Sequence, residues 1–216
     1  MMDVLLLADL HGQFGKIDSF LELGPEAVFI AGDITNMGPV DSVDSLLSRI
    51  DVPCFAVPGN CDPKEMIETL EHSDCVCMHG SRMNLGQISI AGIGGSNPTP
   101  FNTPFEMTDK QIDDILHEVI PQMERTVHNV LLTHAPPYGI LDLIGGNHVG
   151  SQSVRRHMTS FDLVCCAHVH EQRGIVEEEG VKIVNPGPAS MGHCARWSAS
   201  RRCPSSSTTT PSSSGR

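Results

Sequence analysis

Five short blocks carry the side chains that can do chemistry: Asp9-Leu-His11, Gly32-Asp33-Ile-Thr-Asn36, Gly59-Asn60-Cys61-Asp62, Thr133-His134-Ala135 and His168-Val-His170, each after an apolar run. Two divalent cations held close together need a carboxylate to bridge them, with neutral oxygen and imidazole donors around the outside. These blocks supply that mixture. A cation pair of this kind lowers the pKa of a shared water, so that hydroxide is available near neutral pH to attack phosphorus in line, and it neutralises the phosphoryl oxygens. Any one block carries little weight, because Asp-x-His and strand-end histidines recur by chance. Asp, Asn and Gly are also ordinary turn formers. Turn formation does not account for four histidines at such positions as well.

The elements that must position these residues follow from the apolar pattern. Residues 3–8, 27–31 and 54–57 are continuous apolar runs, each followed by a turn and a helical stretch, as in buried parallel strands of βαβ units. Helices are expected near 14–23, 40–50 and 63–70, with Pro63 in a first helical turn. From Cys75 to Ile93 the pattern changes to short strands with a turn at Asn84-Leu-Gly86, and the glycine-rich segment from Gly92 opens a long loop. Thr108 is placed to cap a helix running to about Ile120. Residues 127–133 and 161–167 repeat the strand-then-motif arrangement, and 172–177 with 180–184 close as a hairpin. Every block thus falls at the carboxyl end of a strand, where ligand sites of open α/β sheets gather.

The 216 residues suit one domain, with 39 % apolar and only 4 % aromatic residues pointing to an aliphatic core and 20 glycines to tight turns. A net charge of −12 argues against strong nucleic-acid binding or an anionic membrane surface, both of which need a basic face. An acidic chain still accommodates a phosphate substrate if bound cations carry the positive charge. The N-terminus lacks a basic region and reaches Asp9 too soon for a signal peptide, and no apolar run approaches membrane-spanning length, so a cytoplasmic protein is expected. The eight cysteines lack Cys-x-x-Cys spacing and are expected to be reduced, with Cys54, Cys75, Cys77, Cys165 and Cys166 as small core residues. Adjacent or alternating strand positions such as Cys165-Cys166 also argue against an iron-sulfur centre.

With these motifs over residues 3–190, the chain resembles the calcineurin-like metallophosphoesterase superfamily, and within it the YfcE-like and archaeal phosphodiesterase branch with Gly-Asn-Cys-Asp. The resemblance implies an α/β fold: a four-layer αββα sandwich of two mixed β-sheets flanked by helices. It implies that Asp9, His11 and His170 hold one metal, that Asp33 bridges, and that Asn60, His134 and His168 hold the second. Asp33, Asn60, Asp62 and His134 form the expected catalytic group, and two divalent ions the cofactors, Mn²⁺ first with Fe, Ni or Zn also suited to mixed N/O sites. The implied activity is hydrolysis of a small phosphodiester. The rival is a non-catalytic scaffold of the same fold, against which the retained ligand set argues. A homo-oligomer is left open.

Two positions depart from the family pattern. Where other members carry a His beside the leaving group, this chain has Cys61, a weak hydrogen-bond donor and a poor match for an imidazolium, which implies a preference for diesters with good leaving groups. Ala167 stands where a Gly is usual and fits if its φ is negative. Asn36, Cys61 and His148 are the candidate substrate residues. His148 is read either as facing the substrate or as a surface residue before a helix that Ser151 caps, and Asp62 either as orienting a metal-bound His or as capping the helix at Pro63. Asn185-Pro-Gly187 resembles the family's closing loop or is a plain turn. Residues 97–105, rich in proline, are read as a packing loop or as a lid that carries Phe101 or Phe105 to a substrate ring. His72, His79, His117, His128 and His157 are expected to be surface or structural residues. The domain is expected over 1–197 and a disordered Ser/Thr/Pro-rich tail over 198–216; the abrupt change in composition also fits a reading-frame shift near Ala195.

Overall fold

The computed structural model describes residues 2–199. The chain first alternates strand and helix: β1 (Met2–Leu7), α1 (Ile17–Leu21), β2 (Ala27–Ala31), α2 (Val43–Leu47), β3 (Cys54–Val57), α3 (Met66–Glu71) and β4 (Cys75–Cys77). There follow β5 (Ser81–Leu85), β6 (Ile88–Ile93), α4 (Asp109–Val119), β7 (His128–Thr133), β8 (Leu143–Ile144) and β9 (Asn147–His148). The last elements are α5 (Gln152–His157), β10 (Leu163–Cys165), β11 (Gly174–Glu178), β12 (Val181–Asn185) and β13 (Ala195–Ala199).

These strands form two mixed sheets, in the orders β13-β1-β2-β3-β4 and β11-β12-β10-β7-β6-β5. Within the first, β1 to β3 are parallel as expected and β4 continues the parallel run; in the second, β6, β7, β10 and β12 are parallel and each edge strand is antiparallel. Side chains alternate across each strand, which sorts the apolar residues into three layers. Val4, Leu6 and Phe29 pack with Val130, Leu132 and Leu163 between the sheets. Leu5, Leu7 and Ile30 face the outer side with α1, α2 and α3 through Ile17, Phe20, Leu46 and Met66. Leu131 and Val164 face the other outer side with Ile112, Leu116 and Val154 of α4 and α5. Helix, sheet, sheet and helix make four layers. Among the described residues no helix is long and apolar enough to cross a membrane.

The helices of the first half are shorter than the apolar pattern suggests, because turns rather than helix occupy their ends. Pro63 lies before α3, which begins at Met66 with Glu65 as N-cap; Asp62 therefore does not cap it. Thr108 does cap α4, accepting from Gln111 N in a capping box, and Ser151 caps α5 by accepting from Val154 N. The turn between β5 and β6 is Gly86-Gln87, one position beyond the expected centre, since Leu85 pairs directly with Ile88. Ordered structure passes the expected boundary at 197: β13 pairs antiparallel with β1 from Leu6↔Ala195 to Met2↔Ala199. Backbone pairing is indifferent to the polar side chains of Arg196 and Ser198, while Trp197 and Ala199 turn inward. The rest of the expected tail lies outside the described residues.

Phe29, fully buried in β2 and edge-to-face with Phe55 at 5.5 Å between centroids, sits where both sheets meet. Phe29→Ala is expected to lower stability by about 3–5 kcal/mol. Urea unfolding followed by circular dichroism, with an unchanged denaturant slope, checks it.

Candidate metal centre

All seven candidate ligands sit just past strand ends: Asp9 and His11 after β1, Asp33 after β2, Asn60 after β3, His134 after β7, His168 and His170 after β10. Parallel pairing aligns these ends, and backbone bonds then lace the loops together. Asp9 N donates to Gly32 O at 3.0 Å, His11 N to Asp33 O at 2.9 Å and Ala167 N to His134 O at 2.9 Å. Asp9, His11, Asp33 and His168 have positive φ, between 47° and 73°. Such residues cost about 1–3 kcal/mol each and persist where the surroundings over-determine them. Ala167 is not among them, which meets the condition for Ala at that position. Two glycines permit the close approach of the loops. A Cβ on Gly59 would fall 2.0 Å from Asp33 Oδ1, and one on Gly32, itself at φ +88°, 2.6 Å from His134 Nδ1.

The donors converge on two sides of Asp33. On one side His11 Nε2 lies 3.9 Å from Asp33 Oδ2 and 3.2 Å from His170 Nε2, which is 3.7 Å from Asp9 Oδ1. On the other His134 Nε2 lies 3.5 Å from Asp33 Oδ1, and Asn60 Oδ1 is 2.8 Å from His134 Nε2 and 2.7 Å from His168 Nδ1. His134 Nδ1 is 2.8 Å from Ala31 O, a group that only accepts, so Nδ1 carries a proton and Nε2 is the ring nitrogen turned toward Asp33 and Asn60. Both Asp9 oxygens are buried and have no hydrogen-bond partner. A buried carboxylate without hydrogen-bond donors is costly in the absence of a cation beside it. The residues present therefore fit a metal pair.

The same crowding sets the protonation states. Burial works against the Asp9 carboxylate, but His170, His134 and His11 outweigh it and hold its pKa below the ordinary value. Burial and then His134 push His168 down to about 4, keeping it a neutral donor. Asp9 raises His170, against its partial burial.

Asp62 does not touch a candidate ligand's imidazole. It accepts from Gly59 N at 2.8 Å, Thr35 N at 2.7 Å, Ile34 N at 3.1 Å and Thr35 Oγ1 at 2.9 Å, tying the Asp33 loop to the Asn60 loop. Burial and then Asp33 push its carboxyl up to about 6, with the backbone donors pulling the other way. Its place is thus that of a positioning residue, not a catalytic one, because every oxygen is already committed to the loops. Asn185 has a similar part: it is buried, and its amide donates to Val169 O, between His168 and His170, at 2.9 Å. Sequence reasoning missed Thr103 and Glu106. Asn60 Nδ2 donates to Thr103 Oγ1 at 3.0 Å, which donates to Glu106 Oε1, and this turns Asn60 Oδ1 toward the histidines. Only the proline-rich character of that loop hinted at a role.

A cavity of about 490 Å³ opens beside His11, Asp33, Asn60, His168 and His170. Cys61 lines it, but Asn36 and His148 do not. Asn36 points to solvent and its neighbour Met37 forms the wall, while His148 pairs with buried Asp142 at 2.6 Å on the β8-β9 hairpin. Ser151 is the helix cap that the plainer reading proposed. His79 accepts from Gly94 N and packs on Phe105. His157 and His117 both face Asp113, which Arg156 also pairs with, joining α4 to α5. These histidines are structural. Cys54, Cys75, Cys165 and Cys166 are buried free thiols, and Cys77 is half-buried.

A four-layer sandwich whose aligned strand ends gather a mixed carboxylate, amide and imidazole set defines a metallophosphoesterase. The chain belongs to the calcineurin-like phosphoesterase family, which residues 2–172 match. It is 34 % identical over 201 residues to the uncharacterized protein MJ1162 of Methanocaldococcus jannaschii, covering 88 % of this chain and 89 % of that one. Among solved structures it is similar to TT1561 of Thermus thermophilus, with a TM-score of 0.66 and 20 % identity over 88 % of this chain and 91 % of the other. It also resembles a dimetal phosphatase from Danio rerio, with a TM-score of 0.55 and 9 % identity over 90 % and 91 %. The structural likenesses concern the fold.

Gly59→Ala forces Asp33 to move, so it is expected to weaken Mn²⁺ binding by about 10–100-fold, the usual scale for disturbing the support of a metal ligand. Isothermal titration of chelator-stripped protein measures it, with circular dichroism confirming that the fold persists.

Proposed function

We propose that the chain is a metal-dependent phosphodiesterase, in which Asp9, His11 and His170 hold one divalent cation, Asn60, His134 and His168 a second, and Asp33 lies between them. The observation that carries this reading is the pair of buried, partnerless Asp9 oxygens, beside which His134 Nε2 and His168 Nδ1 converge on Asn60 Oδ1. When bound, the cations supply Lewis-acid activation of water and neutralise phosphoryl charge. Mn²⁺ suits the mixed nitrogen and oxygen donors, as do Fe, Ni and Zn.

The chain's own residues favour a diester over a monoester. No Lys or Arg lines the cavity among the described residues, so nothing beyond the metal pair offsets the second negative charge of a monoester. Burial and then Asp33 raise the Cys61 thiol above its ordinary value, so it remains protonated and weakly acidic. It cannot deliver a proton to a poor leaving group as an imidazolium does. Cys61 N donates to Asp33 Oδ1 at 2.8 Å, so this residue fixes the carboxylate through its backbone whatever its side chain. Asn60 is held by Thr103, and His134 by Ala31 O, so both present their donor atoms without reorganisation.

Chelator-stripped protein should release nitrophenol from bis(p-nitrophenyl) phosphate only after Mn²⁺ is added, and Asp33→Asn should remove that activity by about 10²-fold or more. A folded, metal-loaded chain that releases none overturns the reading in favour of a non-catalytic scaffold. Cys61→His should raise kcat on diesters with alkoxide leaving groups by about 10²-fold while changing nitrophenyl diesters little. Equal effects on both classes, measured by steady-state kinetics, would contradict the assigned role of position 61.

A further inference from the structure

Among the described residues, four groups of His, Cys, Asp or Glu converge closely enough to hold a cation. Three are drawn from the metal centre and its cavity. The fourth, Asp113 with His117 and His157, stands apart on the outer helices α4 and α5, and its three ligand atoms lie within 4.8 Å of one another.

Asp113 and His117 are four residues apart on α4 and therefore share one face of that helix. His157 is the last residue of α5 and comes to the same carboxylate from the neighbouring helix. His157 Nε2 is 3.0 Å from Asp113 Oδ1, and His117 Nδ1 is 3.6 Å from Asp113 Oδ2. The two rings stand edge to face at 4.9 Å between centroids. A hydrogen bond to Asp113 accounts for His157 but not for His117, which is too far to make one. Both separations suit ligands of one cation, because tetrahedral Zn²⁺ with bonds of about 2.0–2.2 Å sets its ligand atoms about 3.3–3.6 Å apart.

The frame around the three residues is already ordered. Ile112 and Leu116 of α4 pack with Val154 of α5 and with Met158. At the other end of the helix pair Ser151 Oγ donates to Asp109 Oδ1 at 2.7 Å, and Ser153 N donates to the same oxygen at 3.0 Å. A cation that joins these helices therefore has little conformational freedom to remove. Arg156 competes for Asp113 Oδ1 from 3.0 Å, but it also donates to Ser153 Oγ at 2.6 Å and Asp109 Oδ2 at 3.3 Å, and keeps both when a cation takes Asp113. Arg156 and then His157, against desolvation, hold the Asp113 carboxyl below its ordinary pKa, so it is an anionic ligand.

We propose that Asp113, His117 and His157 form a Zn²⁺ site that clips α4 to α5. The His117 side chain is 71 % exposed, which leaves the fourth position to water. Two imidazoles and one carboxylate suit Zn²⁺ and disfavour Mg²⁺ and Ca²⁺, which take oxygen donors. The same donor set binds Zn²⁺ more tightly than Mn²⁺, so the clip selects zinc over manganese. None of the seven ligands of the metal centre takes part, and the inference is independent of the phosphodiesterase reading.

An imidazole whose lone pair is on a cation has none left for acylation, so labelling by diethyl pyrocarbonate, read by peptide mass spectrometry, reports the site residue by residue. In chelator-stripped full chain, Zn²⁺ should abolish labelling of His117 and Mg²⁺ should leave it unchanged. His72, exposed and outside the cluster, should be labelled with either cation. Asp113→Asn and His157→Gln should each restore labelling of His117 in the presence of Zn²⁺. Equilibrium dialysis against Zn²⁺ should show one bound equivalent fewer in His117→Ala than in the parent chain, with circular dichroism unchanged, since this exposed side chain supports no core contact. Labelling of His117 that Zn²⁺ does not reduce, equal protection by Mg²⁺, or protection that survives both Asp113→Asn and His157→Gln would overturn the proposal. So would equal protection of His72, which would mean adventitious coordination by surface imidazoles, or an unchanged zinc count in His117→Ala.

Discussion

Asp9 and Asp33 are buried carboxylates that, with His134, place ligand atoms within 4.8 Å of one another. Like charges this close and this dry are stable only where positive charge lies between them. The surrounding architecture can be understood as the means of holding that arrangement. Parallel strands β1, β2 and β3 end level with one another, and β7 and β10 of the second sheet end on the same side. Their loops therefore meet without long connections, and the sandwich core beneath them fixes the spacing.

Strain and close contact are concentrated at this meeting point. Four candidate ligands have positive φ, and Gly32 and Gly59 sit where a single Cβ would collide with His134 or Asp33. The compensation comes from neighbouring groups with no chemical role of their own. Asp62 gathers donors from two loops, Asn185 holds the peptide between His168 and His170, and Ser190 Oγ donates to Asp9 O at 3.0 Å. Each fixes a loop that would otherwise relax to an ordinary turn, giving up the convergence of donors.

The loop after β6 joins this scaffold to the wall of the cavity. Through Thr103 it orients Asn60, and through Phe101 it forms an apolar wall of the cavity. The ligand set and the cavity wall therefore share one hydrogen-bonded segment centred on Glu106, whose carboxylate is held below its ordinary pKa by Thr103 and Thr99 against the effect of burial. Changes in that loop are coupled to the geometry of Asn60.

Much of this was legible in the sequence. Continuous apolar runs gave the buried strands, since a strand covered on both faces has no polar alternation, and the motif residues after them were already those that the structure brings together. Thr108 and Ser151 were recognisable as caps because capping is a local interaction. What pattern reasoning could not supply depends on contacts between distant segments. The pairing of Arg196-Trp197-Ser198-Ala199 with β1 is a backbone matter that composition conceals. Asp62 looked like a cap because the helix follows it in sequence, yet three of its four donors lie 27 or 28 residues away, on Thr35 and Ile34. Asn36 and His148 were plausible by motif, but the outward turn of one and the pairing of the other with Asp142 were set by loop packing. Residue types and order determined the chemistry available to this protein. Tertiary structure decided which side chains reach it, because orientation at a strand end is fixed by neighbours that are remote along the chain.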